Sequence, residues 1–315
     1  MRVLVTGVSG FIGEHIAKHL LEQGHKVRGA SRWLDSPFPK EEKYEHATIE
    51  DPFSKKAWRE ITSEVNAVVH LIAKTHTQEG GDLSEYRHIN VDITKALFEA
   101  SWKAGVKRFV YMSCVNAVGE ETAPGEAFAE DSTCHPAAPC GVTKREAEET
   151  VLKYRGKMST VILRAPLVYG PGVKGNFLRL MEEVEKGTPL PLGGVKNARS
   201  LLFTGNLTAA VGKILEAENL AGGIYHVADE EKPSTPELIE AIAAVMGVKP
   251  RLFFSPTGLL EKVAGFSGKG DMVKKLTRSL VVSHERLKKE LEFKPPYTLR
   301  RGLEITCGKG RAFHH

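Results

Sequence analysis

The chain has 315 residues, of which 41% are hydrophobic and 26% charged. That is enough for one large core or two modest ones, with the composition of an ordinary globular protein. Its formal charge of +5 is spread along the sequence without a block of Lys and Arg. A nucleic-acid partner is therefore not expected, while an anionic small molecule suits the mild positive balance. Four cysteines, Cys114, Cys134, Cys140 and Cys307, form no C-x-x-C pair, so neither a disulfide framework nor a zinc site is expected. No apolar run approaches the about 20 residues that cross a bilayer. The first residues read as a strand without a charged-then-apolar leader, so no membrane and a reducing cytoplasm are expected.

In chain order, β-rich runs fall at 2–6, 26–30, 46–49, 67–72, 108–113 and 160–164, separated by stretches with apolar residues at helical spacing, such as Ile12, Ile16 and Leu20. Strands alternating with helices of this length predict right-handed crossovers and an α/β, Rossmann-like, doubly wound parallel sheet covered on both faces. Beyond 165 the pattern loosens into Gly- and Pro-rich sequence around one helix at 176–186. A buried strand follows at 224–228. Thr235 and Pro236 then read as the start of a helix reaching Met246. This predicts a dinucleotide-binding domain over 1–165 with a returning segment at about 200–230. A smaller substrate lobe takes 166–199 and 231–306. Residues 307–315 read as a tail, disordered or left over from expression. A ligand belongs where the lobes meet, at the carboxyl ends of the strands.

The first strand runs into Thr6-Gly7-Val8-Ser9-Gly10-Phe11-Ile12-Gly13. Gly7 allows a tight turn and Gly10 lets backbone approach a pyrophosphate. Gly13 lets the helix sit close on the strand, and the helix N-terminus offers free N–H groups. A glycine-rich turn without a ligand is the alternative. With its G-x-x-G-x-x-G spacing the loop resembles the extended short-chain dehydrogenase/reductases, the nucleotide-sugar epimerases, dehydratases and reductases. Other stretches fit in order. Asp51 after the third strand matches the acid that contacts adenine. Leu71 and Ala73 match residues lining the cofactor, with Lys74 beside the substrate. Asn90 matches the helix asparagine. Arg164-Ala-Pro-Leu-Val-Tyr-Gly-Pro-Gly172 matches a stretch shared by these enzymes. The resemblance covers residues 1 to about 306.

At the end of the second strand an NAD enzyme needs an acid for the ribose 2′-hydroxyl. Here the run is Val27-Arg28-Gly29-Ala30-Ser31-Arg32. Ser31 stands in the acid's place, and Arg32 can pair with a 2′-phosphate unless it is a solvated loop charge. NADP is thus expected ahead of NAD.

The resemblance also implies a Tyr-x-x-x-Lys helix and a Ser or Thr at the end of the fifth strand. Lys144 is present, but Cys140 occupies the Tyr position and Cys114, preceded by Ser113, the hydroxyl position. Three readings follow. Cys140 can serve as a catalytic thiolate beside Lys144, its ordinary pKa of ~8.5 lowered. However, proton transfer needs heavy atoms within about 2.6–3.2 Å, and a sulfur one bond beyond Cβ falls short of a phenol's reach. Cys114 and Cys140 can form a redox pair, which needs Cα atoms within about 7 Å. Positions whose long side chains converge are expected to lie further apart. The third reading, a scaffold that binds its ligands but turns them over poorly, is preferred.

For the substrate, the resemblance implies a nucleotide-diphosphate sugar, UDP-linked. Asn176 at a helix start and Arg199 would hold the diphosphate, and Leu190 and Leu192 would run along the base. Arg199 in a surface ion pair is the alternative. Val115-Asn116 replace the Asp-Glu of 4,6-dehydratases, which leaves a 4-keto reductase or a 4-epimerase. The stretches around 118–122, 172–177 and 197–201 resemble bacterial 4-keto reductases of 6-deoxy-N-acetylhexosamine nucleotides, which serve surface-polysaccharide synthesis. A 4-epimerase with tightly held NAD is the runner-up, and a silent NADP-binding sensor or scaffold is the alternative of another class. The resemblance further implies a homodimer through helices near 84–104 and 139–155. Ile89, Ile93, Leu97 and Trp102 on the first of these fit that role or a place in the core.

Overall fold

The computed structural model describes the chain apart from residues 33–35, 76–81, 155, 157, 259, 261, 263–269 and 309–315. Strands β1 (Arg2–Thr6), β2 (Lys26–Ser31), β3 (Tyr44–Thr48), β4 (Ala67–His70), β5 (Arg108–Cys114), β6 (Ser159–Ala165) and β9 (Gly222–His226) form a seven-stranded sheet in the order β3-β2-β1-β4-β5-β6-β9. Every pairing in it is parallel. The order reverses between β1 and β4, which is where an open α/β sheet leaves a crevice at its carboxyl edge. A separate parallel pair joins β7 (Leu167–Tyr169) to β8 (Leu201–Phe203).

Near-continuous apolar strands need cover on both faces. On one side α1 (Phe11–Glu22), α7 (Thr204–Glu216) and α10 (Glu285–Leu291) bury Ile16, Leu20, Val211, Ile214 and Leu287 against Val3, Val5 and Val161. On the other, α2 (Lys55–Ile61), α4 (Ile93–Lys103) and α5 (Pro139–Leu152) bury Trp58, Leu97 and Val151 against Val68, Phe109 and Ile162. Ile93 and Leu97 therefore belong to the core, while Trp102 packs beside Tyr154. Between α3 (Leu83–Arg87) and α4 the helix widens into a π turn over His88–Asp92.

The smaller lobe has its own core around α6 (Asn176–Glu185), α8 (Thr235–Met246), α9 (Gly270–Thr277) and α11 (Leu299–Cys307). Helix α8 starts one residue earlier than the expected Thr235 cap and Pro236 start: Ser234 is the N-cap, Thr235 the first helical residue, and Ser234 and Glu237 close a capping box around Pro236. The returning segment comprises β8, α7 and β9. The sequence pattern had placed the last strand two residues later. Backbone pairing does continue past β9, Val227 N–H donating to Arg164 at 3.1 Å. Cys307 closes helix α11, so the expected tail begins beyond it, and 309–315 lie outside the described residues.

The β1–α1 loop has the geometry its glycines imply. Gly7 takes φ +68° and its N–H donates to Ala30 at 2.8 Å. A Cβ on Gly13 would lie 2.2 Å from Gly7 O and 2.8 Å from Val8 Cα, both backbone atoms that cannot swing aside. Gly13→Ala is expected to cost about 1–3 kcal/mol in loop geometry, weakening dinucleotide affinity about 10-fold or more. Calorimetric titration of the variant checks this.

Candidate active site

The site is assembled where β5 ends and α5 begins. After Cys114 the chain makes a single 3-10 turn, Val115–Ala117, and α5 starts directly on top of it: a Cβ on Gly141 would meet Asn116 O at 2.3 Å. Pro139 opens the helix without wasting an N–H. Cys140 follows in the first turn, where the helix dipole favours a thiolate.

This packing brings the two cysteines together. Hydrogen bonding from Cys114 draws the Cys140 thiol down to about 7 against the opposing effect of burial. Lys144 and Lys275 pull it further down, and Glu120 pushes it up. The same hydrogen bond, with burial, raises the Cys114 thiol well above its ordinary range.

Lys144, one turn on, is buried. Its Nζ donates to Met112 O at 2.6 Å and lies 4.7 Å from the centre of the Tyr111 ring. Burial lowers its pKa, offset in part by the two thiols and Glu148. Asn90 sits in the π turn and is fully buried. Its amide nitrogen donates to Lys74 O (3.0 Å) and Thr143 Oγ1 (2.9 Å), and its Oδ1 accepts from Lys74 N–H (2.7 Å). Asn90 thereby ties the loop after β4 to helix α5, a frequent placement for π turns at functional sites.

Ser113 is not brought to this group. Its hydroxyl donates to Glu148 Oε1 at 2.6 Å, where Glu148 is paired with Arg164 in the interior. The Ser113 hydroxyl thus serves the interior ion pair, two helical turns along α5 from Cys140.

Around the glycine loop, Ser9 is exposed at the N-terminus of α1, and Gly10 caps the helix in an extended conformation. The Phe11 and Ile12 side chains pack into the two neighbouring cores, leaving their backbone to face outward. Ser31 is buried with Oγ 3.5 Å from His46 Nε2, and Arg32 is exposed. No acid ends β2. Asp51 is exposed in the turn after β3, where it accepts from Phe53 N–H at 2.9 Å. Leu71 and Ala73 keep part of their surface open beyond β4. Lys74 is paired with Glu85 and lies 5.2 Å from the centre of the Tyr86 ring.

At the substrate end, Asn176 is the first residue of α6 and is exposed. Leu190 pairs with Leu252, and the Leu190 and Leu192 side chains enter the lobe's own core. Backbone, not those side chains, is what this segment presents. Arg199 is half-buried, and that burial lowers its pKa. Its Nη1 donates to Arg278 O at 3.1 Å, with no carboxylate paired to it among the described residues.

This geometry can be set beside known proteins. The model of the family described as "NAD dependent epimerase/dehydratase family" matches residues 3–228, well over half the chain. The chain belongs to that family. A Vibrio cholerae UDP-glucose 4-epimerase is 31% identical to this member over 97% of the chain and 94% of its own length. A Stenotrophomonas maltophilia 2-alkyl-3-oxoalkanoate reductase is 30% identical over 80% and 77%. Among solved structures, the Thermus thermophilus UDP-glucose 4-epimerase in complex with NAD superposes with a TM-score of 0.78 at 25% identity, covering 97% of each chain. The glycine loop, lysine and asparagine that carry the family resemblance are thus all present in this member, with thiols at 114 and 140.

Two charged residues near the thiols were not singled out from sequence. Glu120 holds the 3-10 turn through Asn116 Nδ2. Lys275, from α9 of the smaller lobe, acts on Cys140 electrostatically. The first has a weak signal in its four-residue offset from Asn116. The second has none, because only the tertiary fold brings Lys275 within electrostatic reach of Cys140.

Proposed function

We propose that this member binds a nicotinamide dinucleotide along the Gly7–Gly13 loop and acts at C4 of a UDP-linked hexose, as a 4-keto reductase or a 4-epimerase. The observation that carries the reading is Arg199, half-buried with its Nη1 donating to Arg278 O and no acid paired to it among the described residues. A diphosphate supplies the missing negative charge, and a guanidinium fork suits its oxygens. Relatives described as UDP-glucose 4-epimerases add to this support. The bound dinucleotide would supply hydride exchange at carbon. The chain's own part is to orient the sugar and to hold a proton at its C4 oxygen. Without a phenol at position 140 that last task is poorly met, so we propose slow turnover. We also take the protein to be a cytoplasmic homodimer serving surface-polysaccharide synthesis.

Removing a guanidinium from a phosphate contact costs charge-assisted bonds of about 1.5–3 kcal/mol. Arg199→Ala is therefore expected to weaken UDP binding about 10- to 100-fold, with the dinucleotide affinity unchanged. Isothermal titration with UDP decides it: equal affinity in both proteins removes Arg199 from the site.

Arg32 and the absence of an acid after β2 support NADP over NAD. Arg32→Ala is expected to weaken NADP about 10-fold while sparing NAD, and tighter NAD binding by the unaltered chain overturns the preference. The cysteine at the phenol position favours a second reading, a silent NADP-binding sensor, which binding of NADP without UDP would support.

A further inference from the structure

The glycine loop belongs to the large sheet and the start of α6 to the smaller lobe, yet a hydrogen bond links their neighbourhoods directly. His15 Nε2 lies 2.8 Å from Pro171 O, 156 positions away in sequence. A carbonyl oxygen only accepts, so Nε2 carries the proton and donates. His15 stands in the second turn of α1, just past Gly13. Phe11, one turn back, packs against the smaller lobe's core and meets the His15 ring edge-on, with centroids 5.4 Å apart at 87°. Packing therefore aims the imidazole at its acceptor.

The acceptor belongs to a turn whose form is set locally. Val173 N–H donates to Gly170 O at 3.0 Å, and Gly172 takes φ +80°. Proline in the second place and a positive φ in the third make this a type II turn. A Cβ on Gly170 would lie 2.1 Å from Thr204 Oγ1, so the turn is seated against the start of α7. In a type II turn the second residue's carbonyl takes no part in the closing bond, which leaves Pro171 O open to an outside donor. Beyond it Val173 enters the smaller lobe's core, Gly175 turns the chain at φ +71°, and α6 begins at Asn176.

We propose that His15 is a positioning residue: it places the 170–173 turn, and with it Asn176, against the dinucleotide loop, and so sets the affinity for the diphosphate of the sugar nucleotide. The inference rests on the UDP-binding reading given above. Proline and glycine fix the shape of the turn, and His15 fixes its place. Helix α1 then serves both ligands. Its first N–H groups face the dinucleotide, and its second turn steadies the loop that leads to the sugar nucleotide.

The test compares the full chain with His15→Phe, which keeps a ring against Phe11 but removes the donor, and with His15→Gln, whose amide nitrogen restores one. Hydrogen exchange followed by mass spectrometry is expected to quicken about 3- to 10-fold over 172–179 in the Phe variant, the worth of one net hydrogen bond. UDP, titrated by calorimetry, is expected to bind that variant about 3- to 10-fold more weakly. NADP affinity stays as in the starting chain, and the Gln variant recovers both readouts. Gly172→Ala strains the same turn through its φ alone, since nothing lies within 4 Å of the added Cβ, and is expected to reproduce the loss of UDP affinity. Unchanged exchange over 172–179 in the Phe variant overturns the proposal whether or not UDP binds. Equal UDP affinity with His or Phe at position 15 overturns it as well. So does a joint loss of UDP and NADP affinity that Gln does not repair, which would make His15 part of the general packing. No UDP uptake by the starting chain fails the UDP reading itself and removes the turn from diphosphate binding. The exchange data still show whether His15 anchors the turn, so the two failures are told apart.

Discussion

Cys140→Tyr combined with Cys114→Thr raises turnover of UDP-glucose by about 10²–10⁴-fold, the usual contribution of a positioned general acid–base. The scaffold for that gain is already present. Lys144 lies one turn beyond position 140, buried and anchored to Met112 O, and Asn90 fastens α5 to the loop after β4. A sulfur at 140 reaches one bond past Cβ, whereas a phenol from the same backbone position extends into the crevice and can meet a sugar hydroxyl. Cys140→Phe with Cys114→Thr supplies the control, restoring the ring without the hydroxyl, and is expected to remain at the slow starting rate. Chromatographic assay of UDP-galactose formation with each cofactor provides the readout. Equal rates for the starting chain and the Tyr variant would reject impairment by the missing phenol.

Much of this frame is legible in the chain itself. The βαβ alternation, the Gly7–Gly13 loop and Lys144 at the fourth place after Cys140 depend on local spacing, and the fold preserves each. What local spacing does not contain is contact between distant segments. Cys114 and Cys140 are 26 positions apart, and their meeting depends on Gly141 allowing α5 to touch Asn116 O. Lys275 lies on a short helix 131 positions beyond Lys144, and nothing local in the sequence relates it to Cys140. The motif places the hydroxyl position at Cys114, but only the fold shows that Ser113 beside it is committed to Glu148. Leu192 was expected beside a base, yet its side chain fills the lobe's core, because an extended segment shows its backbone wherever its apolar side chains turn inward.

Glu148→Ala is expected to destabilise the protein by about 3–5 kcal/mol, the largest stability loss predicted for any single replacement here. Glu148 and Arg164 are both without solvent exposure. The guanidinium donates from Nε to Oε1 at 2.9 Å and from Nη2 to Oε2 at 2.7 Å, and Ser113 adds its hydroxyl to Oε1. Removing the carboxylate leaves a buried cation whose remaining acceptors among the described residues are the Glu130 carbonyl at 3.5 Å and the Cys134 sulfur at 3.6 Å. Against a typical total stability of about 5–15 kcal/mol, such a loss brings the chain close to unfolding, and it reads as a lower urea midpoint with an unchanged slope. Glu148→Leu paired with Arg164→Met is expected to recover much of the loss, since no charge is then stranded. The consequence for the site follows from helix geometry. Cys140, Lys144 and Glu148 recur at four-residue intervals on one face of α5, so the ion pair with β6 and the hydroxyl of β5 clamp the same helix that carries the thiol and the lysine. The paired Leu–Met variant, folded but without the clamp, should therefore lose dinucleotide affinity even where stability returns. Retained affinity would show that the 3-10 turn and Asn90 position α5 by themselves.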